Sequence, residues 1–255
     1  MSDSKEMKFM PATTILDGGV PMLQQEVMDP RDFYETINKE LDEYYATEIK
    51  QVYVTDNMSE EDIKNTIVQR LCMGWYNEIA IRDFCQLAME VAPPSLKTHQ
   101  ALLRQVTDEH QHAMWIWRIL QDRGIDPTDY GTIEEWRYVW TYRNGMLRRP
   151  ENFLCAFAST QLVSERLVAM KTIPEMTRMC QDIDPVVADL YGEKIYKDEV
   201  FHTEGLPEYI ITKHATTLEA QNRVRQGIQR GLISVDLVTR GIKRSKDRYK
   251  VASGK

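Results

Sequence analysis

The 255-residue sequence predicts an all-α protein built on a bundle of long helices. Three observations point there. Apolar residues recur at three- and four-residue spacing, capping residues, Pro and Gly stand where such stretches begin and end, and strand-like alternation is nearly absent. Only QVYVTD, residues 51–56, reads as a strand, and it stands alone. No low-complexity tract or Gly/Ser-rich linker divides the chain, so one domain is expected. Within it, 1–57 is an N-terminal extension with an accessory helix, 58–206 the central bundle, and 207–255 C-terminal helices ending in a basic tail.

Each helix has its own signals. Asp29 as N-cap and Pro30 at the first helical position open DPRDFYETINKELDEYY, which places Phe33, Ile37, Leu41 and Tyr44 on one face. Ser59 with Asp62 resembles a capping box and opens a helix that runs until Pro93-Pro94 stops it. Ser95 caps the next, through DEHQHAMWIWRILQDR to Gly124, and Thr132 with Glu135 opens a shorter one closed by Gly145. Pro150 starts ENFLCAFASTQLVSERLVAMKTI, and Asp184-Pro185 starts VVADLYGEKIYKDEVFHTEG, expected to end near Gly205 and Pro207. One or two further helices follow from Leu206.

Composition narrows the classes. An apolar share of 42% with 28% charged residues is that of a globular chain large enough to hide a site from water. The apolar runs are short and broken by charge, and MSDSKEMKF lacks a signal-peptide core, so no membrane span and a cytoplasmic location are expected. Cys72, Cys85, Cys155 and Cys180 form no CxxC pair, which argues against zinc-ribbon, rubredoxin-type or redox-disulfide chemistry. From Arg223 onward Lys and Arg far outnumber Asp236 and Asp247, although the whole chain is at −7. A solvated tail or final helix explains this excess most simply, and docking to an acidic partner or a phosphate-bearing substrate is the alternative. Nucleic acid is not expected, since the tail offers only Tyr249 for stacking.

The chemistry is written in a repeat. Of five histidines, only His112 and His202 carry a glutamate three residues upstream, and each glutamate follows an aspartate: DEHQH at 108–112 and DEVFH at 198–202. On a helix this spacing lets Glu109 with His112, and Glu199 with His202, each present a carboxylate and an imidazole to one point. A four-helix bundle holding two iron or manganese ions needs two such pairs and one inward carboxylate from each of two more helices. Glu78 in GWYNEIAIRDF and Glu165 in STQLVSERLVAM are placed to supply them. Glu78 precedes Glu109 by 31 residues and Glu165 precedes Glu199 by 34, which suits two helices of about seven turns joined by a short connection. The plain alternative makes Glu78 an ion-pair partner of Arg82 and Glu165 a neighbour of Arg166. Asp108 and Asp198 acquire a role too: each can hold the far N–H of the imidazole on the other DExxH helix, the alternative being two solvated acids. His110 points elsewhere.

With Glu78, DEHQH, Glu165 and DEVFH in this order, the chain resembles the ferritin-like di-iron carboxylate oxygenases, among them the soluble methane and toluene monooxygenase hydroxylases. Locally, APPSLKTHQALLRQVTDEHQHAMWIW and GEKIYKDEVFHTEG are similar to the segments around the two ligand pairs of the phenylacetyl-CoA epoxidase catalytic subunit. The similarity covers roughly residues 65–125 and 185–206. There are departures. The epoxidase family commonly uses an aspartate earlier on its third helix, whereas Glu165 sits where the methane and toluene enzymes have theirs. The threonine those hydroxylases carry four residues later is Ala169, so proton delivery would need another group. The tyrosine a ribonucleotide reductase radical subunit has seven residues after Glu109 is Ile116.

The resemblance implies a ferritin-like bundle with accessory helices at both ends, two iron ions and dioxygen; the ligands suit manganese or a mixed pair as well. Glu109 and Glu199 would bridge, and Glu78 and Glu165 would be terminal. Trp75, Tyr76, Trp115 and Leu162 would build an apolar substrate pocket, although aromatics at helical spacing are more often core. The implied activity is oxygenation of an organic substrate, a monooxygenase or epoxidase reaction; the resemblance suggests an acyl-CoA or aromatic thioester, and a small hydrocarbon, an aromatic amine or a carrier-bound acyl chain stays open. Electrons would come from a separate reductase, because no flavin or iron–sulfur motif is present, and assembly as a homo- or hetero-oligomer is expected. The main rival is a ferroxidase or iron-handling protein of ferritin or rubrerythrin type, and a further one is a scaffold subunit without metal.

Overall fold

In a computed structural model that describes residues 23–48, 58–130 and 134–252, the chain is all-helical, and no strand occurs among the described residues. The isolated strand candidate at 51–56 and the Thr132 cap lie outside them. No described helix is long and apolar enough to cross a membrane.

Helix α1, Pro30–Glu48, begins where Asp29 Oδ1 accepts from the amide of Arg31 at 2.9 Å. Phe33, Ile37, Leu41 and Tyr45 form its buried face. Tyr45, rather than the expected Tyr44, completes the stripe, and its hydroxyl donates to the Val163 carbonyl at 2.7 Å. A stripe of four-residue steps continues to 45, and a buried tyrosine needs an acceptor within reach.

Helix α2, Glu60–Val91, starts with the Ser59 cap, whose Oγ accepts from the Asp62 amide at 3.1 Å. Helix α3, Leu96–Asp122, starts with the Ser95 cap and buries Leu102, Gln105, Glu109, His112, Ile116 and Leu120 at three- and four-residue steps. It ends at Gly124, φ +68°, with Gly124 donating to the Gln121 carbonyl and Ile125 to that of Leu120. These two bonds satisfy carbonyls that a helix end otherwise leaves bare, and only glycine adopts this φ without strain. Short α4, Pro127–Tyr130, and α5, Glu134–Met146, then cross to the next long helix.

Two helices depart from the sequence expectation. Helix α6 covers 150–180: a 3₁₀ turn, Pro150–Asn152, leads into α-helix, Phe153–Ala158, then π-helix over Ser159–Glu165 and Val168–Thr172, and α-helix again over Ile173–Cys180. It does not stop before Pro174. Helix α7 covers 185–214, with π turns at Leu190–Ile195 and Phe201–Gly205, and passes through Gly205 and Pro207 to His214. A bundle boundary at 206 therefore falls inside a helix. The reason is the same in both: a π turn precedes each proline, and Ile173 donates to Val168, as Leu206 does to Phe201. This wide turn moves the carbonyl with which a proline ring would collide, and the missing N–H is lost where a new α-segment starts.

Helix α8, Leu218–Ala252, absorbs part of the basic excess internally. Arg225 makes a two-pronged contact with Glu40 of α1 at 2.9 and 3.4 Å, and Arg230 lies against Met146 Sδ and Cys155 Sγ. Gly227 and Gly231 let the helix sit against the backbone of α6. All four cysteines are free and buried.

Two apolar layers fix the direction of the long helices. One holds Ile81 and Phe84, Leu102, Phe157, and Leu206 with Ile210; the other holds Ile67 and Leu71, Ile116 and Leu120, Ile173, and Leu190 with Ile195. Helices α2 and α7 thus run from the second layer to the first, and α3 and α6 run the opposite way. Between the layers lie Glu78, Glu109, His112, Glu165, Glu199 and His202.

A candidate metal centre

Those six side chains come from four helices: Glu78 from α2, Glu109 and His112 from α3, Glu165 from α6, Glu199 and His202 from α7. All are buried, five of them with no more than 1% of their surface exposed and Glu78 with 6%. They form two groups, Glu78–Glu109–His112–Glu199 and Glu109–Glu165–Glu199–His202, in each of which one ligand atom per residue lies within 4.8 Å of the others. Glu109 and Glu199 belong to both, as bridging carboxylates would.

Several buried atoms of the cluster lack a directed partner. Glu78 Oε2, Glu109 Oε2, His112 Nδ1, Glu165 Oε1, Glu199 Oε2 and His202 Nδ1 are all buried without an aligned hydrogen-bond partner. His112 Nδ1 stands 3.4 Å from both Glu78 and Glu109, and His202 Nδ1 stands 3.2 Å from Glu109. Contacts this close but poorly directed, among four carboxylates out of water, are costly unless cations sit among them. The donor set of carboxylate oxygens and imidazole nitrogens suits iron or manganese. These residues could therefore hold metal ions.

Electrostatics of the metal-free cluster point the same way. Burial raises Glu78 and Glu165 well above the usual carboxylate range, helped for Glu165 by the nearby charge of Glu199. Burial acts upward on Glu109 too, but the two imidazoles outweigh it and hold Glu109 well below that range. Burial opposes a charged His112, yet Glu109 and Glu78 raise it to about 11, and Glu109 and Asp108 likewise raise His202.

Both aspartates brace an imidazole across the molecule. His112 Nε2 lies 3.3 Å from Asp198 Oδ2, and His202 Nε2 lies 3.2 Å from Asp108 Oδ2. With Nε2–H held by an aspartate, each ring is left to offer its Nδ1 to a cation once that nitrogen gives up its proton. Arg104, one turn before Asp108, approaches it at 3.5 Å and covers the Phe201 ring. Substituting Asp198 or Asp108 by Ala should weaken metal binding about 10–100-fold without emptying the site. Competition with a chelator measures this, and unchanged affinity would show that the aspartates are ordinary surface acids.

The plain alternatives for the two lone glutamates do not hold. Arg82 pairs with Asp83 at 2.7 Å, and Arg166 reaches out to Asp42 and Asn38 of α1. His110 is exposed, with Arg82 Nη1 3.5 Å from its Nδ1.

A cavity of about 130 Å³ opens beside Glu78. It is lined by Met73, Val139, Leu167, Val168, Met176 and Val235, with Asn77, Arg70 and Arg143 as polar groups. None of the four expected pocket residues is on its wall. Trp75 and Trp115 pack into the layer around Ile67, and Tyr76 into that around Phe84. Leu162 is buried against α1 and α8. The π turns before Glu165 wind more than 3.6 residues per turn, so a residue three back no longer shares its face. Trp115 instead stacks on the His112 ring, centroids 5.8 Å apart.

Three polar residues escaped the sequence reading. Gln105 donates to Glu109 at 2.9 Å and exchanges amide hydrogen bonds with Gln161, while Cys85 donates to Gln105. Each glutamine stands four residues before a cluster glutamate, a signal present in RQVTDE and TQLVSE. Arg143 is fully buried, and its signal was a charge continuing the apolar stripe of Trp136, Val139 and Trp140. No protein-family model matches the chain, and no curated protein matches it significantly.

Proposed function

We propose that this protein is a ferritin-like di-iron oxygenase acting on an organic substrate. The observation that carries the reading is the cavity: an apolar-walled space meets the cluster at Glu78, where iron oxidation alone would need no such room. Helix directions, with α2 and α7 opposed to α3 and α6 and α5 crossing between the halves, support the ferritin-like arrangement. Two iron ions, when bound, supply the electrons for activating dioxygen.

The chain's own residues have definite tasks. Glu109 and Glu199 hold the two metal positions together, and His112 and His202 keep their Nδ1 atoms inward because Asp198 and Asp108 hold Nε2. The apolar layers above and below exclude water, which strengthens every charge interaction between them. Gln105 orients Glu109 through a directed hydrogen bond. Ala169 carries no hydroxyl, so proton delivery must use another group. A monooxygenase or epoxidase reaction fits, with a thioester among the candidate substrates and electrons delivered by a separate reductase.

Single-turnover oxygen uptake tests the reading. Iron-loaded protein with a suitable organic substrate should consume dioxygen faster than without it, with coupled formation of an oxygenated product. Uptake that ends in ferric mineral, unchanged by any organic compound, would instead assign an iron-handling role.

A further inference from the structure

Arg143 puts a charge into the cavity that the metal centre does not use. Its guanidinium is fully buried. Nη2 donates to the Ser164 hydroxyl at 2.6 Å and to the Ser159 carbonyl at 3.2 Å. Nε and Nη1 are buried with no hydrogen-bond partner, and among the described residues no carboxylate forms an ion pair with it. The group lies over the Trp140 ring at 5.0 Å, and Trp140 in turn stacks on Trp136, which lines the cavity. Burial lowers its pKa to about 10, with nearby Glu165 opposing the shift, so it remains a cation at neutral pH.

A buried cation with unspent N–H groups is costly unless something supplies the opposite charge. Glu165 is its nearest charged influence, but Glu165 belongs to the metal cluster, and two divalent ions would already balance four carboxylates there. The remaining room is in the cavity. Its volume, about 130 Å³, is close to that of the roughly 150 Å³ hydrocarbon-lined cavity that takes up benzene. It therefore accepts a single ring or a short chain.

We propose that this cavity binds a small organic acid. The carboxylate is received by the unspent N–H groups of Arg143, and the apolar body lies along Met73, Val139, Leu167 and Met176 towards Glu78. That such an acid is the oxidised substrate rests on the oxygenase reading; that it binds does not. Free acids are then preferred over their thioesters or amides, because only a full negative charge matches the guanidinium.

Calorimetric titration of the anaerobic iron-loaded protein with benzoate and hexanoate, against benzamide and hexanamide, tests this. Each acid should bind at least about tenfold more tightly than its amide. Arg143→Met should remove that preference and leave the iron content unchanged, while Arg143→Lys should retain part of it. Equal binding of acid and amide by the wild type overturns the proposal, with no variant needed. So does a preference that survives Arg143→Met, since the acid would then be held by another group, iron or Arg70. If reconstitution leaves the protein without metal, the same titration on the metal-free chain still decides: acid preference there upholds the binding site while the oxygenase reading falls.

Discussion

Substituting Glu109 by Ala should empty both metal positions, whereas substituting Glu78 by Ala should empty one. The difference follows from shared membership: Glu109 and Glu199 belong to both ligand groups, Glu78 and Glu165 to one each. Without Glu109, each position retains two carboxylates and one imidazole, and nothing but Glu199 ties the two together. The loss should exceed the roughly 10–100-fold expected for removing an aspartate behind a histidine. Elemental analysis after anaerobic reconstitution reads this as about two, one or no iron per chain, and circular dichroism checks that each variant keeps its helices. Two irons retained by Glu109→Ala would refute the bridging assignment. Glu165→Ala should mirror Glu78→Ala, but empty the His202 position instead of the His112 position.

The buried Glu–His cluster was legible because its code is local. Glu-x-x-His survives as a same-face pair in any regular helix, and two copies with matching upstream glutamates leave few arrangements open. Asp108 and Asp198 were legible for the same reason, since ring geometry demands an acceptor behind each imidazole. The caps at Asp29, Ser59, Ser95 and Gly124 were local too, and each appears where it was expected.

What failed to be legible depends on neighbours distant in sequence. Pro174 and Pro207 read as helix stops, yet a π turn ahead of each carries the helix through. Nothing in VAMKT or FHTEG announces such a turn. The π turns also rotated Leu162 away from the metal cluster, and the aromatic residues assigned to a pocket proved to be packing for the two apolar layers. Arg143 drew no reading from the sequence, because its partners come from α6, where its guanidinium meets Ser159 and Ser164. A sequence can show that a residue is out of place in its stripe; only the packed neighbours show what it faces.

Gly227→Ala should destabilise the fold by about 4 kcal/mol, more than the roughly 1–3 kcal/mol of ordinary overpacking and despite the roughly 1 kcal/mol that helix propensity returns. A methyl group at this position would run into the Cys155 carbonyl oxygen, and it would lie 2.9 Å from the carbonyl carbon and 3.0 Å from Ala158 Cβ. The first two are backbone atoms of α6 and the third is fixed directly to that backbone, so none can swing aside as a side-chain tip can. In a chain of this length the loss should lower the melting temperature by about 10 °C in a thermal scan. Gly231, one turn along α8, makes the corresponding approach to Val163 and to the Ser159 carbonyl, inside the π segment that ends at Glu165. Gly231→Ala should therefore disturb the metal cluster as well as the packing, losing iron at the Glu165 position while the helices persist. A Gly227→Ala variant as stable as the parent would mean that α8 does not sit against α6 at this distance, and the wall that Ser234, Val235 and Val238 give the cavity would go with it.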